Sequence, residues 1–291
     1  MKIKEGKLNE TRGGRIALII AFAVFAAYSA SVIFAFVWAF YNSLKTNGEF
    51  FTSMMALPEK WLFSNYIMAF KKIAYNDYTF LGMLFNSLWF AGGSAVLGVL
   101  MHCVTGYVFA KYKFFAKETA FAVIVFTITL PILGSLPSFY RFVVGMNIKD
   151  SPLFLITSLG GFGANFLITY AFFKSISWSY AEAAFIDGAG HFYVFFRIML
   201  PLAVGPIFAL SLLGFIGQWN NYETPMLFLD RMPPLASGLY RFSVNMKYAS
   251  FESPQTVYFA GVLITAVPSV AFVSVFGGKI MNNVSIGGIK G

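Results

Sequence analysis

A chain of 291 residues that is 58% hydrophobic, 19% aromatic and only 11% charged lies outside the composition of a soluble globular domain and reads as a membrane protein. Its net charge of +9 does not point to nucleic acid, because the basic residues sit in short segments between apolar runs rather than in a stripe interleaved with aromatics. The one cysteine, Cys103, excludes an internal disulfide framework and a cysteine-rich metal site.

Six stretches carry no charge: residues 16–44, 78–110, 119–140, 151–173, 198–222 and 253–278. Each is long enough for a helix of about 20 residues, the length that crosses roughly 30 Å of hydrocarbon. None shows the alternation of a barrel strand, so the expected fold is an all-α membrane protein with six transmembrane helices. The first stretch follows Lys2, Lys4, Lys7, Arg12 and Arg15, as a secretory signal does, but its apolar length exceeds that of a cleaved signal and predicts a retained helix.

Lys111, Lys113, Lys117, Lys174, Arg197, Lys279 and Lys290 fall on the same side as the N-terminal segment, 1–15. The positive-inside rule therefore puts both termini in the cytoplasm. A single transmembrane domain, 16–291, then has a cytoplasmic loop at 174–200, a cytoplasmic tail at 279–291 and two long external loops at 45–77 and 223–252. The first external loop holds Trp61, Asn65 and Tyr66; either a docking rim or a solvated connection fits its composition. Small residues such as Gly92, Gly93, Gly98, Gly160 and Gly161 suit close helix approach, and Pro131, Pro201, Pro206 and Pro268 mark helix ends or kinks.

The chain lacks the patterns of the main catalytic classes. His102 and His191 lie on different segments, there is no H-E-x-x-H, and no serine sits in a glycine elbow. Gly277-Gly278-Lys279 lacks the upstream glycine and the following Ser or Thr of a phosphate loop. No Asp, Glu, Lys or Arg falls in the middle of an expected span, which weakens a proton-coupled carrier; a sodium-coupled one is weakened less. A polar path gated from outside the chain remains.

The segment 174–200 stands apart. Residues 179–186 predict a short helix with Ser179 as N-cap and Glu182 three residues on, Asp187-Gly188 breaks it, and a second helix over 191–199 would carry Phe192, Phe195, Phe196 and Met199 on one face. Glu182-Ala183-Ala184, then Gly188, then Ile198-Met199-Leu200-Pro201 resembles the coupling loop of the permeases of binding-protein-dependent ABC importers. Asp187 and Ala189 extend the pattern to the form common in sugar permeases. Asn86-Ser87-Leu88, Tyr107, Ala110, Pro131, Trp219-Asn220 and the ending Gly287-Gly288-Ile289-Lys290-Gly291 resemble the same carbohydrate permease family over nearly the whole chain.

That resemblance implies a type I ABC importer permease fold in a bacterial or archaeal inner membrane. The implied partners are a second homologous permease, two ATPase subunits, an extracellular solute-binding protein, the lipid bilayer and a sugar or oligosaccharide, with no nucleic acid. ATP and Mg would be bound by the ATPase subunits, leaving this chain without a cofactor, a metal or catalytic residues. It further implies that Glu182, Ala183, Ala184, Asp187, Gly188 and Ala189 engage the ATPase, and that Lys290 and Gly291 reach between the two ATPase subunits. In maltose-type importers of the family the last external loop enters the binding protein's cleft. That places Tyr240, Arg241, Asn245 and Tyr248 as contact candidates. Trp219, Asn220, Asn221 and Tyr222 combine aromatic faces with amides and hydroxyls, the mixture a sugar path uses; an aromatic belt at the membrane boundary fits them equally. The competing readings are a peptide or amino-acid importer of the same class, an ion-coupled secondary carrier and a lipid-acting membrane enzyme.

Overall fold

The computed structural model describes residues 12–130 and 134–287, with side chains up to 277. In chain order the elements are α1 (Arg12–Ser43), α2 (Asn47–Thr52), α3 (Ser64–Lys72), a small hairpin of β1 (Ala74–Tyr75) and β2 (Tyr78–Thr79), α4 (Phe80–Lys111), α5 (Lys117–Thr129) and α6 (Leu136–Gly145). After a 3-10 segment, Pro152–Leu159, come α7 (Ala164–Ser175), α8 (Ser179–Ile186) and α9 (His191–Val194). A π-helical turn, Phe195–Met199, leads to α10 (Leu200–Leu202), α11 (Val204–Trp219), α12 (Glu223–Phe228), α13 (Leu235–Asn245) and α14 (Pro254–Gly287).

Among the described residues three helices are long and apolar enough to cross a bilayer, in Arg12–Ser43, Phe80–Lys111 and Pro254–Gly277. Two bent pairs bring the number of spans to at most five. The fourth expected span is one of these pairs, a 3-10 segment followed by α7 at 57°. The fifth is the other: the residues from His191 to Leu202 meet α11 at 79°. The break falls at Ala203, four residues or fewer from both Pro201 and Pro206. A proline at 206 clashes with the carbonyl of residue 202 and supplies no N–H, which favours a bend at this point.

The third expected span is not one helix in the described residues. It consists of α5 and α6 on either side of residues 131–133. Leu130 is extended, with ψ 128°, the conformation favoured for a residue preceding proline, and α5 ends there after 13 residues. The external loops are also more structured than a solvated connection, since α2, α3, α12 and α13 form within them.

The chain divides into two compact units. One comprises the residues up to Ala69 with Met246–Leu263. There Lys45 is fully buried, its Nζ donating to the carbonyls of Ser53 (2.8 Å) and Ala56 (2.6 Å), while Asn65 Nδ2 donates to the carbonyls of Ser43 and Lys45, both at 2.8 Å. Burying these groups is tolerable because each finds a partner. Asn65, which the sequence places in an open loop, is thus a clasp holding the chain below α1.

The other unit comprises Phe70–Asn245 with the residues from Ile264. Its centre is α4, against which α7 and α11 lie. Small residues set those approaches. A Cβ on Gly106 would stand 2.4 Å from Thr169 Oγ1 and 2.9 Å from the Tyr170 backbone nitrogen, and one on Gly161 would stand 2.6 Å from Thr105 Cγ2. Close contact of this kind holds helices together where lipid offers no apolar burial to gain.

Candidate functional site

The helix-turn-helix at 179–199 is built by local hydrogen bonding. Helix α8 starts and ends where the sequence predicts, but Ser179 is its first residue and not its cap. Trp178 holds the cap position without a side-chain bond, and Ser177 Oγ instead accepts from the Ser179 N–H at 3.3 Å. At the other end the Ala189 N–H donates to the Ala184 carbonyl (2.9 Å) and the Gly188 N–H to the Phe185 carbonyl (3.0 Å), with Gly188 at φ +83°. These two bonds and the left-handed glycine are a Schellman cap. The E-A-A-x-x-D-G-A spacing now has a physical reading: Ala184 and Ala189 are the pair such a cap brings together, and both lie half-buried against the core.

Glu182, Ala183, Asp187 and Gly188 are exposed on the outer face of this turn, next to Ile186, which is 86% exposed. Phe192, Phe195 and Phe196 line one apolar groove with Val104 and Tyr107, in keeping with the shared face read from the sequence. Val194, Phe195 and Met199 are buried while Phe192 is 83% exposed, and Met199 ends a π-helical turn, Phe195–Met199.

The base of the turn is fixed to α4 and α7. The Lys111 ammonium donates to the Ile176 carbonyl, and Tyr112 Oη and His191 Nδ1 are 2.8 Å apart. Trp178, Phe185 and His191 pack edge-on or tilted around Tyr112, with Phe185 and His191 ring centres 4.9 Å apart. Tyr107 continues the cluster to Phe173 and Phe195. These aromatic contacts pack the segment against the end of α4.

At mid-length the same helix faces a cavity of about 370 Å³. Phe90, Ser94, Gly98 and His102, four residues apart, form one stripe of α4 along it, and Leu210, Gly214 and Gln218 form the facing stripe of α11. Phe139, Phe154, Thr157 and Asn165 close the sides, and Asn221 and Thr224 one end. Sequence reasoning missed Ser94, His102, Asn165 and Gln218. The available signal was a line of small and polar residues at helical spacing inside apolar runs.

Of the four sequence candidates for a substrate path, only Asn221 lines this cavity. It also caps α12: its Oδ1 accepts from the Thr224 N–H at 3.1 Å, and its Nδ2 donates to Gln218 Oε1 at 3.1 Å. Trp219 is 1% exposed, donates from Nε1 to the Thr265 carbonyl (3.0 Å) and stacks on Phe215 at 5.4 Å, so it is a core residue with no free face. Asn220 lies outside, its Nδ2 folded back on the Ile216 carbonyl, and Tyr222 stacks on Tyr240 at 4.5 Å.

Arg241 is not a free contact residue either. It pairs with Asp230 at 2.7 Å and covers the Tyr75 ring at 4.4 Å, while Tyr75 Oη donates to Asp230 Oδ1 at 2.8 Å. Burial, and then the bond to Asp230, pushes the Tyr75 phenol above its ordinary range, keeping it a donor. Asn245 and Tyr248 are exposed. Lys290 and Gly291 lie outside the described residues.

Comparison with known proteins then decides the family. The description "binding-protein-dependent transport system inner membrane component" matches residues 102–277, more than half of the chain and all of the helix-turn-helix. This chain belongs to that family. It is 28% identical over 273 residues to the diacetylchitobiose uptake system permease protein NgcG of Streptomyces coelicolor, covering 92% of this chain and 87% of that one. It is 26% identical over 227 residues to the maltodextrin transport system permease protein MdxG of Bacillus subtilis, covering 76% and 80%. The sulfoquinovosyl glycerol transport system permease protein SmoH of Agrobacterium fabrum is 24% identical over 262 residues, with 89% of each chain covered. Among solved structures, a chain of a bacterial ABC transporter that imports the acidic polysaccharide alginate shares the fold, with a TM-score of 0.73 at 22% identity over 92% of this chain and 98% of that one. This chain is thus an inner-membrane transport component with a polar cavity and an exposed, capped turn.

Proposed function

We propose that this chain is the permease subunit of an ATP-driven importer for sugars or oligosaccharides, forming half of the path and docking an ATPase through the turn at Glu182–Gly188. One observation carries the reading. Helix α4 lines the polar cavity at Phe90–His102 and is bonded at its far end, through Lys111 to the Ile176 carbonyl and through Tyr112 to His191, to the two flanks of the exposed turn. A force applied at the turn therefore reaches the cavity wall through one rigid helix. The sugar relatives NgcG and MdxG support the cargo class.

In this reading six helices cross the membrane with both termini in the cytoplasm, and residues 16–291 form one transmembrane domain with its coupling loop at 174–200. ATP hydrolysis resides in two partner subunits that hold ATP and Mg, a second permease completes the path, and a solute-binding protein delivers cargo outside. Closure of the ATPase dimer draws the two permease turns together and rocks the cavity between inward and outward openings. Glu182 faces a basic residue of the ATPase, and Lys290 and Gly291 lie at its dimer interface. Asn245 and Tyr248 remain exposed for the binding protein.

The test is co-purification. Glu182→Lys should leave the chain in the membrane at its normal level and strongly reduce the ATPase recovered with it; full ATPase recovery with normal uptake would overturn the docking role.

A further inference from the structure

We infer that the cavity between α4 and α11 is a binding subsite for an uncharged sugar unit, read through His102, Asn165, Gln218 and Ser94. This deepens the importer reading above and rests on it. The first observation is hydrogen-bonding groups left without a partner. His102 Nδ1 is engaged by the Gly98 carbonyl one turn back, and since a carbonyl only accepts, Nδ1 carries the proton and Nε2 is left as an acceptor. Gln218 Oε1 accepts from Asn221, which leaves the Gln218 amide N–H groups as donors. The Asn165 carboxamide and the Ser94 hydroxyl make no hydrogen bond within the described residues, although Ser94 is 6% exposed and Asn165 half-buried. Thr157, Thr224 and Asn221, by contrast, are engaged with their own chain. The lining therefore offers donors and acceptors together, the combination a hydroxyl or acetamido group answers on both counts.

The second observation is charge. Among the described residues no Asp, Glu, Lys or Arg lines the cavity. A carboxylate or sulfonate brought here would lose its hydration without gaining a cation, which is costly in a low-dielectric site. The relatives span both cargo types, since diacetylchitobiose and maltodextrins are neutral whereas alginate and sulfoquinovosyl glycerol are acidic. The lining assigns this chain to the neutral group. The third observation is shape. At about 370 Å³ the cavity lies within the range of small-molecule sites, about 300–1,000 Å³. Phe90, Phe139 and Phe154 add apolar edges for the C–H face of a ring.

The experiment is equilibrium binding to the purified membrane complex, without the solute-binding protein, using diacetylchitobiose, maltotriose and an alginate trisaccharide as probes. A neutral probe should bind at least tenfold more tightly than the alginate trisaccharide. Gln218→Leu and Asn165→Leu should each raise its Kd about three- to tenfold, the effect of one neutral hydrogen bond. Ser94→Ala, a smaller change, should raise it by less, and recovery of the ATPase subunits with the permease on size-exclusion chromatography reports that each variant is assembled. Gln218→Lys should narrow or reverse the preference against the alginate trisaccharide. Equal binding of neutral and acidic probes, or unchanged Kd in the leucine variants, would overturn the subsite while leaving the importer reading intact, provided that ATP-driven uptake of a sugar is seen in the same preparation. Absence of ATP-driven uptake for every probe would overturn both.

Discussion

Gly188 allows the turn's backbone requirement to be separated from its proposed docking role. It sits at φ +83°, and a Cβ built on it meets no atom within 4 Å. Substitution therefore causes no clash within the chain, and the cost is conformational. A left-handed residue with a side chain costs about 1–2 kcal/mol, a factor of roughly 5–30 in the population of the capped turn. Valine, branched at Cβ, belongs at the upper end, and asparagine, which tolerates this region, at the lower. The open space above Gly188 is what a partner would occupy. Gly188→Val should thus leave membrane abundance unchanged, because only the local Schellman cap is disturbed, but reduce the ratio of sugar transported to ATP hydrolysed at least tenfold in proteoliposomes. Gly188→Asn should keep the turn yet still transport less than the parent chain, since its side chain projects into the docking space. A Gly188→Val complex that assembled and transported at the parent rate would refute the reasoning.

Three further outcomes test the architecture. Gly106→Val drives a side chain into Thr169 and the Tyr170 backbone; overpacking of this kind costs about 1–3 kcal/mol and should lower the melting temperature of the detergent-solubilised complex. Trp219→Ala should cost about 3–5 kcal/mol and reduce the amount of folded chain, while the protein that does fold binds sugar with an unchanged Kd, because Trp219 is core and not cavity wall. Arg241→Ala removes a pair whose side chains are 27% and 42% exposed, so melting should shift by an amount corresponding to no more than about 1–2 kcal/mol, including the contact over Tyr75.

The helical class, the family and the short helix at 179–186 were legible in the sequence, because absence of charge over 20 residues and the E-A-A-x-x-D-G-A spacing are local signals. Breaks inside the spans were legible only as positions. Pro131, Pro201 and Pro206 marked them, but whether the chain bends or stops depends on how the neighbouring helices pack. The cavity was hidden for another reason. Ser94, His102 and Gln218 are scattered among apolar residues on separate helices, and only the meeting of α4 with α11 brings them to one cavity. Trp219 and Arg241 misled because residue type alone does not tell a ligand-facing aromatic or cation from one already paired, with Thr265 in one case and Asp230 in the other.

The most direct measurement is uptake of radiolabelled diacetylchitobiose or maltotriose into proteoliposomes holding the complete importer, with ATP inside and the solute-binding protein outside, comparing active ATPase subunits with a hydrolysis-dead form. The account predicts accumulation only with active ATPase and ATP, unaffected by an ionophore that collapses ion gradients. Accumulation that persists with the dead ATPase and disappears with the ionophore would contradict it, and make this chain an ion-coupled carrier.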